Sequence, residues 1–385
     1  MDLATFERLL TSEGQELLAE VHERAGVESD LALGTRLRRT HDVDLVAAAV
    51  TQNHLRGKAV AKLGPDAGRL YFTHDALEQA TRAPVARLRA ARLAEADVAA
   101  VLDLGCGIGG DLIAFARAGL RVRGVERDPV RAAIARANLA ALELPGEVVE
   151  ADLADVEALP EETVFLDPAR RAGRGRVFDV AAMSPPWDVV VHQLERGAVV
   201  KTLPGLAHDL VPDGVEAQWV SDGGDLVEAC LWGPPLADAS RRASALPGPH
   251  ELTGTGEAGD VAAVGDWLHE PDDAVIRSGL VGELADRMGA RLLDRRLAYL
   301  TSDGPAPDPL ARSFRVLQEL PFKEKQLRAA LVAHDVGALT VKKRGIDVVP
   351  DQLIRRLKLK GSRPATVVLA RIDGGARAFL VEPTR

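Results

Sequence analysis

Along residues 1 to about 95, apolar positions recur three or four apart, as in LVAAAVTQNHL and DALEQATRAPVARLRAARLAEA, which predicts amphipathic helices. Thr73 or Asp75 stands where the second of these would be capped, with Glu78 placed to reach back. From Ala99 the pattern changes. Short apolar runs (AAVLDL, RVRGVE, EVVEAD, TVFLD, GAVVKTL) are separated by helix-period stretches such as DLIAFARAG and PVRAAIARANLAAL, the latter entered through Pro129. Strands separated by helices predict parallel β-α-β units in a doubly wound α/β sheet. VEAQWVSDGGDLVEACLWG reads as a hairpin that adds an antiparallel edge. Residues 238 to about 272, rich in Gly, Pro and Ala, read as linker, followed by a helical stretch to about Leu300 and the proline-broken TSDGPAPDPL. The last segment reads strand, helix, strand, helix, hairpin, with Asp373-Gly374 as the two-residue turn. That β-α-β-α-β-β order is compatible with a small ferredoxin-like α+β module. The expected organisation is a helical domain over 1–95, an α/β domain over 96–237, linker or extension over 238–304, and a small α+β domain over 305–385.

Length agrees with more than one domain, since 385 residues exceed twice the roughly 150 typical of each. No stretch approaches the ~18 uncharged apolar residues of a membrane span, so no membrane partner is expected. The N-terminus, MDLATFERLLTSEGQELL, carries acids early and is unlike a secretory signal. Two cysteines, Cys106 and Cys230, give no disulfide framework, and there is no CxxC or HExxH. A cytoplasmic, metal-free protein is expected. Charge changes the picture further. The formal net charge is −9, yet Arg312 to Arg363 holds 13 Lys and Arg against 5 Asp and Glu, which predicts an anionic partner for that end.

The densest chemistry lies in VLDLGCGIGGD, Val101 to Asp111, where a strand gives way to a helix. Gly105, Gly107 and Gly110 also satisfy GxGxxG. A pyrophosphate on that helix N-terminus would, however, face Asp103 and Asp111. Acids around a glycine turn instead suit a cationic cofactor, and S-adenosylmethionine carries a sulfonium and an ammonium. Glu126 ends the second strand, 21 residues after Gly105, where a carboxylate reaches ribose hydroxyls. Asp152 ends the third strand, with Leu153 beside it, and Asp167 ends the fourth. Over about residues 99 to 235 this pattern resembles the class I S-adenosylmethionine-dependent methyltransferases. The resemblance implies a Rossmann-like sheet and S-adenosyl-L-methionine as cofactor. It places Asp103, Gly105, Gly107 and Gly109 at the methionine end, Glu126 at ribose, and Asp152 with Leu153 at adenine. Gln79 and Thr81 lie where many such enzymes cover the methionine end.

Amino-group methyltransferases of this class place Asp/Asn/Ser-Pro-Pro-aromatic after the fourth strand. Two segments compete for that role. TVFLDPARR has the expected spacing, with Asp167 15 residues after Asp152, but Ala169 and Arg170 replace the second proline and the aromatic. SPPW, Ser184 to Trp187, fits the pattern but falls later. Asp167 is the expected catalytic acid, with SPPW folding back over the same pocket and Trp187 as a base clamp or ordinary packing. DPARRAG also resembles an element of RNA uracil C5-methyltransferases, which attack carbon through a cysteine after the fifth strand. Here that position is VVKTLPG, with Lys201 and Thr202 and no cysteine, so nitrogen is the expected acceptor atom.

The loop from Arg170 to Arg176 (Arg170, Arg171, Arg174, Arg176) and the run Lys342, Lys343, Arg344 are expected phosphate contacts on an RNA substrate. PFKEKQL and VKKRG resemble the THUMP-like domain that accompanies bacterial methyltransferase domains. The expected function is N-methylation of a nucleotide in tRNA or rRNA. A small-molecule methyltransferase and a non-catalytic RNA-binding factor that keeps the fold are the alternatives.

Overall fold

In the computed structural model, which describes residues 1–170 and 183–383, the helical spacing near the N-terminus becomes six helices. They are α1 (Leu3–Leu9), α2 (Ser12–Arg24), α3 (Asp30–Leu37), α4 (Val43–Leu63), α5 (His74–Gln79) and α6 (Ala83–Glu95). Thr73 caps α5, its side chain accepting from the amide of Ala76 at 3.2 Å. The single helix expected from Asp75 to Ala96 is broken at Ala80–Arg82. Pro84 sits in the first turn of α6, where a missing N–H and a fixed φ suit a helix start rather than its interior.

The chain divides into two compact units, Met1–Val215 with Cys230–Ala237, and Glu216–Ala229 with Asp238–Arg385. In the first unit the helices are followed by β1 (Ala100–Leu104), α7 (Gly110–Arg117), β2 (Arg121–Glu126), α8 (Pro129–Ala141), β3 (Glu147–Glu150), β4 (Glu162–Leu166), β5 (Ala169–Arg170), β6 (Met183–Ser184), α9 (Trp187–Glu195) and β7 (Val199–Thr202). Five of these strands pair in parallel in the order β7-β4-β1-β2-β3. Central β1 is buried at every position because both its faces are covered. The chain leaves β1 toward β2 and β3, then crosses to β4 and β7, so the carboxyl end of β1 is the topological switch point, where open α/β sheets bind ligands.

Two buried amides knit the early helices to this sheet. Gln52 of α4 donates to the carbonyl of Phe72 at 2.6 Å and accepts from its amide at 2.9 Å. Asn138 of α8 does the same for Tyr71 and donates to the carbonyl of Ile108 at 2.9 Å. The extended stretch around Tyr71 has no strand to pair with, and these side chains satisfy its buried backbone groups.

In the second unit, residues 238–304 are not a linker. They form β10 (Arg241–Leu246), β11 (His250–Gly254), β12 (Trp267–Pro271), α10 (Asp273–Ser278), α11 (Val281–Met288), β13 (Arg291–Asp294) and β14 (Leu297–Ser302), after β8 (Glu216–Asp222) and β9 (Asp225–Trp232). The helical stretch expected to reach Leu300 ends at Met288, with Gly289 in the left-handed conformation at φ +60°. RLLDRRLAYLTS then folds as a hairpin turned on Asp294, which accepts from the amide of Arg296. The composition misled because short strands with small residues still bury one face, including Leu268, Leu293 and Tyr299.

β10 runs parallel to β8, and a buried Glu216 accepts from Arg242 at 2.8 Å and from the amides of Asp238 and Ala239. That network assigns Glu216–Ala229 to the second unit rather than to the α/β domain expected over 96–237. The last elements are β15 (Ala311–Pro321), α12 (Glu324–Ala333), β16 (Val336–Arg344), α13 (Pro350–Leu357), β17 (Arg363–Ile372) and β18 (Gly375–Pro383), in the expected β-α-β-α-β-β order. Asp373 and Gly374, at φ +48° and +77°, make the expected turn. These strands extend one sheet ordered β13-β14-β12-β15-β18-β17-β16, with β16 at its edge. Among the described residues, no helix is long and apolar enough to cross a membrane.

Candidate active site

Beyond β1 the chain turns through Gly105, Gly107 and Gly109 before entering α7. Gly109 caps α7 at φ +84°, a left-handed conformation that favours glycine. The loop is fastened on three sides. The amides of Gly105 and Cys106 donate to the carbonyl of Val125, that of Gly107 donates to Glu126 Oε2 at 3.0 Å, and the carbonyl of Ile108 accepts from Asn138. Such a loop is rigid before any ligand arrives.

The acids the sequence singled out lie in one region but in different states. Glu126 ends β2 and accepts two backbone amides, from Gly107 and Asp128, leaving lone pairs on both oxygens. Asp111, at the start of α7, is buried against Arg89 of α6, whose guanidinium donates to it, and accepts from the Thr81 hydroxyl at 2.5 Å. Its charge therefore belongs to Arg89 and Thr81, not to the open end of the loop. Asp167, past the end of β4, pairs with Lys201 of β7 at 2.6 Å.

Asp103 differs from all of these. It is 1% exposed, and neither carboxylate oxygen has a hydrogen-bond partner among the described residues. Burial, reinforced by the charges of Asp111 and Asp167, pushes its carboxyl well above the usual range. An orphaned buried carboxylate beside a glycine turn fits a ligand that brings its own positive charge.

Asp152 is exposed and caps the 3₁₀ turn of Leu153–Asp155, accepting from the amide of Ala154 at 3.0 Å, with Leu153 half-buried beside it. Thr81 is buried against Asp111, whereas Gln79, at the end of α5, is exposed. The competing segments DPAR and SPPW come together. Ala169 of β5 faces Ser184 of β6 in an antiparallel pair, which brings Trp187, half-buried at the start of α9, into the same stretch as Asp167. Cys106 is no nucleophile in waiting. Its thiol is buried close to Gly124, where a Cβ would lie 2.8 Å from the sulfur, and burial raises its pKa further.

Sequence reasoning missed Arg89, Asn138 and the pairing role of Lys201. Arg89 shares the buried face of α6 with Val85, Ala86, Ala90 and Leu93, and a polar residue in an apolar stripe was the available signal. Lys62 of α4 was also missed. It donates to the carbonyls of Leu77 and Glu78 at the end of α5, and burial with the nearby charges of Lys201 and Arg82 lowers its pKa to about 8.

Of the expected phosphate contacts, Arg171, Arg174 and Arg176 and the side chain of Arg170 lie outside the described residues. The run on β16 departs from expectation. Lys342 pairs with Glu270 of β12, and Arg344 lies 4.0 Å from Glu270 and 3.7 Å from Asp273. Only Lys343 of the three is fully exposed. Strands alternate their faces, so two of three consecutive cations point to one side, where acids from the supposed linker meet them.

Comparison with known proteins agrees with this architecture. Family models match residues 101–167 as a methyltransferase domain, 311–383 as THUMP domain-like and 2–59 as a domain of unknown function. Curated proteins of Mycobacterium tuberculosis strains CDC 1551 and H37Rv are each 40% identical over 349 residues, 86% of this chain and 95% of theirs. Both are described as uncharacterized S-adenosylmethionine-dependent methyltransferases. A crystal structure from Porphyromonas gingivalis W83, of a protein assigned as a methyltransferase, superposes with a TM-score of 0.75 at 20% identity, covering 96% of this chain and 99% of that one. With its switch-point glycine loop, its orphaned acid and a relative of this closeness along nearly its whole length, the chain belongs to the S-adenosylmethionine-dependent methyltransferases and uses S-adenosylmethionine as cofactor.

Proposed function

We propose that the protein transfers a methyl group to a nitrogen atom of RNA. The observation that carries the RNA half is the THUMP domain-like module at residues 311–383, with its excess of basic residues. The nitrogen half rests on Asp167 and Lys201 at the ends of β4 and β7, in a region whose neighbouring thiol, Cys106, is buried and protonated. In this reading Asp103 receives the positively charged methionine end of the cofactor. Gly105, Gly107 and Gly109 allow close backbone approach, Glu126 accepts from ribose, and Asp152 with Leu153 borders the adenine. When bound, the cofactor supplies an electrophilic methyl group on a sulfonium.

The protein's task is then to present a lone pair and accommodate a proton. Asp167 accepts a hydrogen bond from the acceptor amine, orients its lone pair and stabilises the positive charge that develops on nitrogen. Lys201 holds Asp167 in place, and Trp187 offers a ring on which the acceptor base stacks. A small-molecule acceptor is the second reading, favoured by the pairing of Lys342 with Glu270 of its own unit.

Nucleoside mass spectrometry of total RNA from a deletion strain, before and after treatment with the purified enzyme, tests the proposal. A methylated nucleoside lost on deletion and restored by the enzyme supports it. Unchanged RNA together with methyl transfer to a small-molecule extract would replace it with the second reading.

A further inference from the structure

The second unit holds a polar cavity of about 490 Å³ that methyl transfer does not use. Its walls come from the Gly223-Gly224 turn, the junction of β12 with α10, the start of β15 and the end of β16. Three cations, Arg312, Lys342 and Arg344, meet three carboxylates, Glu270, Asp272 and Asp273. The balance of charge is even, but the balance of hydrogen bonds is not.

Two of the carboxylates are well served. Glu270 accepts from Lys342, and Asp272 accepts from the Ser221 hydroxyl at 2.5 Å and the amide of Ala274 at 2.8 Å. The arginines are not. Arg344 stands 3.7 and 4.0 Å from its acids, beyond hydrogen-bond reach, its guanidinium lies 5.4 Å from the centre of the Tyr299 ring, and its Nε–H is buried without an acceptor among the described residues. Arg312 is exposed, lies against the turn so closely that a Cβ on Gly224 would come within 2.8 Å of it, and makes no side-chain hydrogen bond or ion pair among the described residues.

Guanidinium groups with unspent donors are matched by an oxyanion of several acceptor oxygens, phosphate above all. Asp273, 52% exposed, remains to accept hydroxyl donors on the other side. No Phe, Tyr or Trp lines the cavity, and His250 is the aromatic ring in its wall. Its volume lies within the ~300–1,000 Å³ of small-ligand sites. We propose that this cavity binds a phosphate monoester on a hydroxylated body, a sugar phosphate or the sugar-phosphate end of a nucleotide, with its phosphate held by Arg312 and Arg344. The site shares no residue with the methyl-transfer site, although Arg312, Lys342 and Arg344 belong to the basic module on which the RNA reading rests, and its test with a sugar phosphate needs no RNA acceptor.

Calorimetry on the full chain with ribose 5-phosphate as probe is expected to give saturable binding that ribose alone does not. Arg312→Ala and Arg344→Gln should each weaken it about tenfold or more, as lost charge-assisted hydrogen bonds do. S-adenosylmethionine affinity should stay unchanged in both, and Lys325→Ala, on α12, should bind the probe normally. Arg312 is exposed, so its variant carries the test should Arg344→Gln fail to fold. A 5′-phosphorylated oligoribonucleotide that binds more tightly than its 5′-hydroxyl form identifies a strand end as the source, and equal affinity of the two forms identifies a free sugar phosphate. The proposal is overturned by no binding of ribose 5-phosphate or by undiminished affinity in Arg312→Ala.

Discussion

The carboxyl edge of the first unit's sheet and the basic strand of the second are both charge-dense in sequence, and they handle charge in opposite ways. At the sheet edge, Asp111 is given Arg89, Asp167 is given Lys201 and Glu126 is given backbone amides, while Asp103 alone is left bare. On β16, a run that reads as free positive charge is partly spoken for, with Lys342 paired to Glu270 and Arg344 held near Glu270 and Asp273 without a hydrogen bond to either. Charge counted along a chain measures what is present. What is available to a ligand depends on which partners the fold supplies, because a buried charge without a partner is far costlier than an exposed one.

Removing a partner should break the first half of this contrast most severely. Arg89→Ala leaves Asp111 buried and uncompensated, and we expect a loss of about 3–5 kcal/mol in denaturant unfolding. Arg89→Ala combined with Asp111→Ala should recover part of it, and additive losses would show that the two residues are not coupled.

The second unit keeps a buried imidazole neutral instead. His269 lies between the hydroxyls of Ser302 and Ser313, each at 2.8 Å, and burial lowers its pKa to about 4 from 6.5. Its unfolded form takes up a proton first on acidification. Stability should therefore be intact above pH 6.5, fall by about 3 kcal/mol as the pH drops toward 4, and change no further on this account below it. His269→Gln should flatten that part of the profile, and an unaltered slope would locate the titration elsewhere.

Asp103 sharpens the contrast by moving stability and binding in opposite directions. Asp103→Asn removes a buried carboxyl whose raised pKa costs stability at neutral pH, and should raise stability by about 1–3 kcal/mol there. Because the folded pKa is raised, this gain is absent at low pH and grows as the pH climbs above the ordinary carboxylate value. The same change should weaken S-adenosylmethionine about tenfold to a hundredfold by calorimetry. Tight binding in the variant would remove Asp103 from the cofactor's cationic end.

The smallest effects belong to β16. Lys342→Met should cost about 1 kcal/mol or less, as partly exposed pairs do, and Lys343→Ala nothing measurable. Equal losses in the two variants would mean that the Glu270 pairing contributes little.

Much of the molecule was legible from residue order. Period-3.6 spacing determined the early helices, apolar runs separated by helices determined the parallel sheet, and DLGCGIGGD between a strand and a helix determined the glycine turn at the end of β1. Asp373-Gly374 determined its own turn, since few residue pairs adopt positive φ twice. These features are local, and local sterics and hydrophobic periodicity encode them directly. What only the tertiary structure decided is non-local. The segment 238–304 is folded because its short strands find partners, which their composition does not reveal. SPPW reaches the DPAR segment through a two-residue pairing across the chain. Arg89 meets Asp111 22 positions away, and Lys342 meets Glu270 72 positions away. Partners so far apart are brought together by the packing of whole elements, and no spacing rule within a single element contains them.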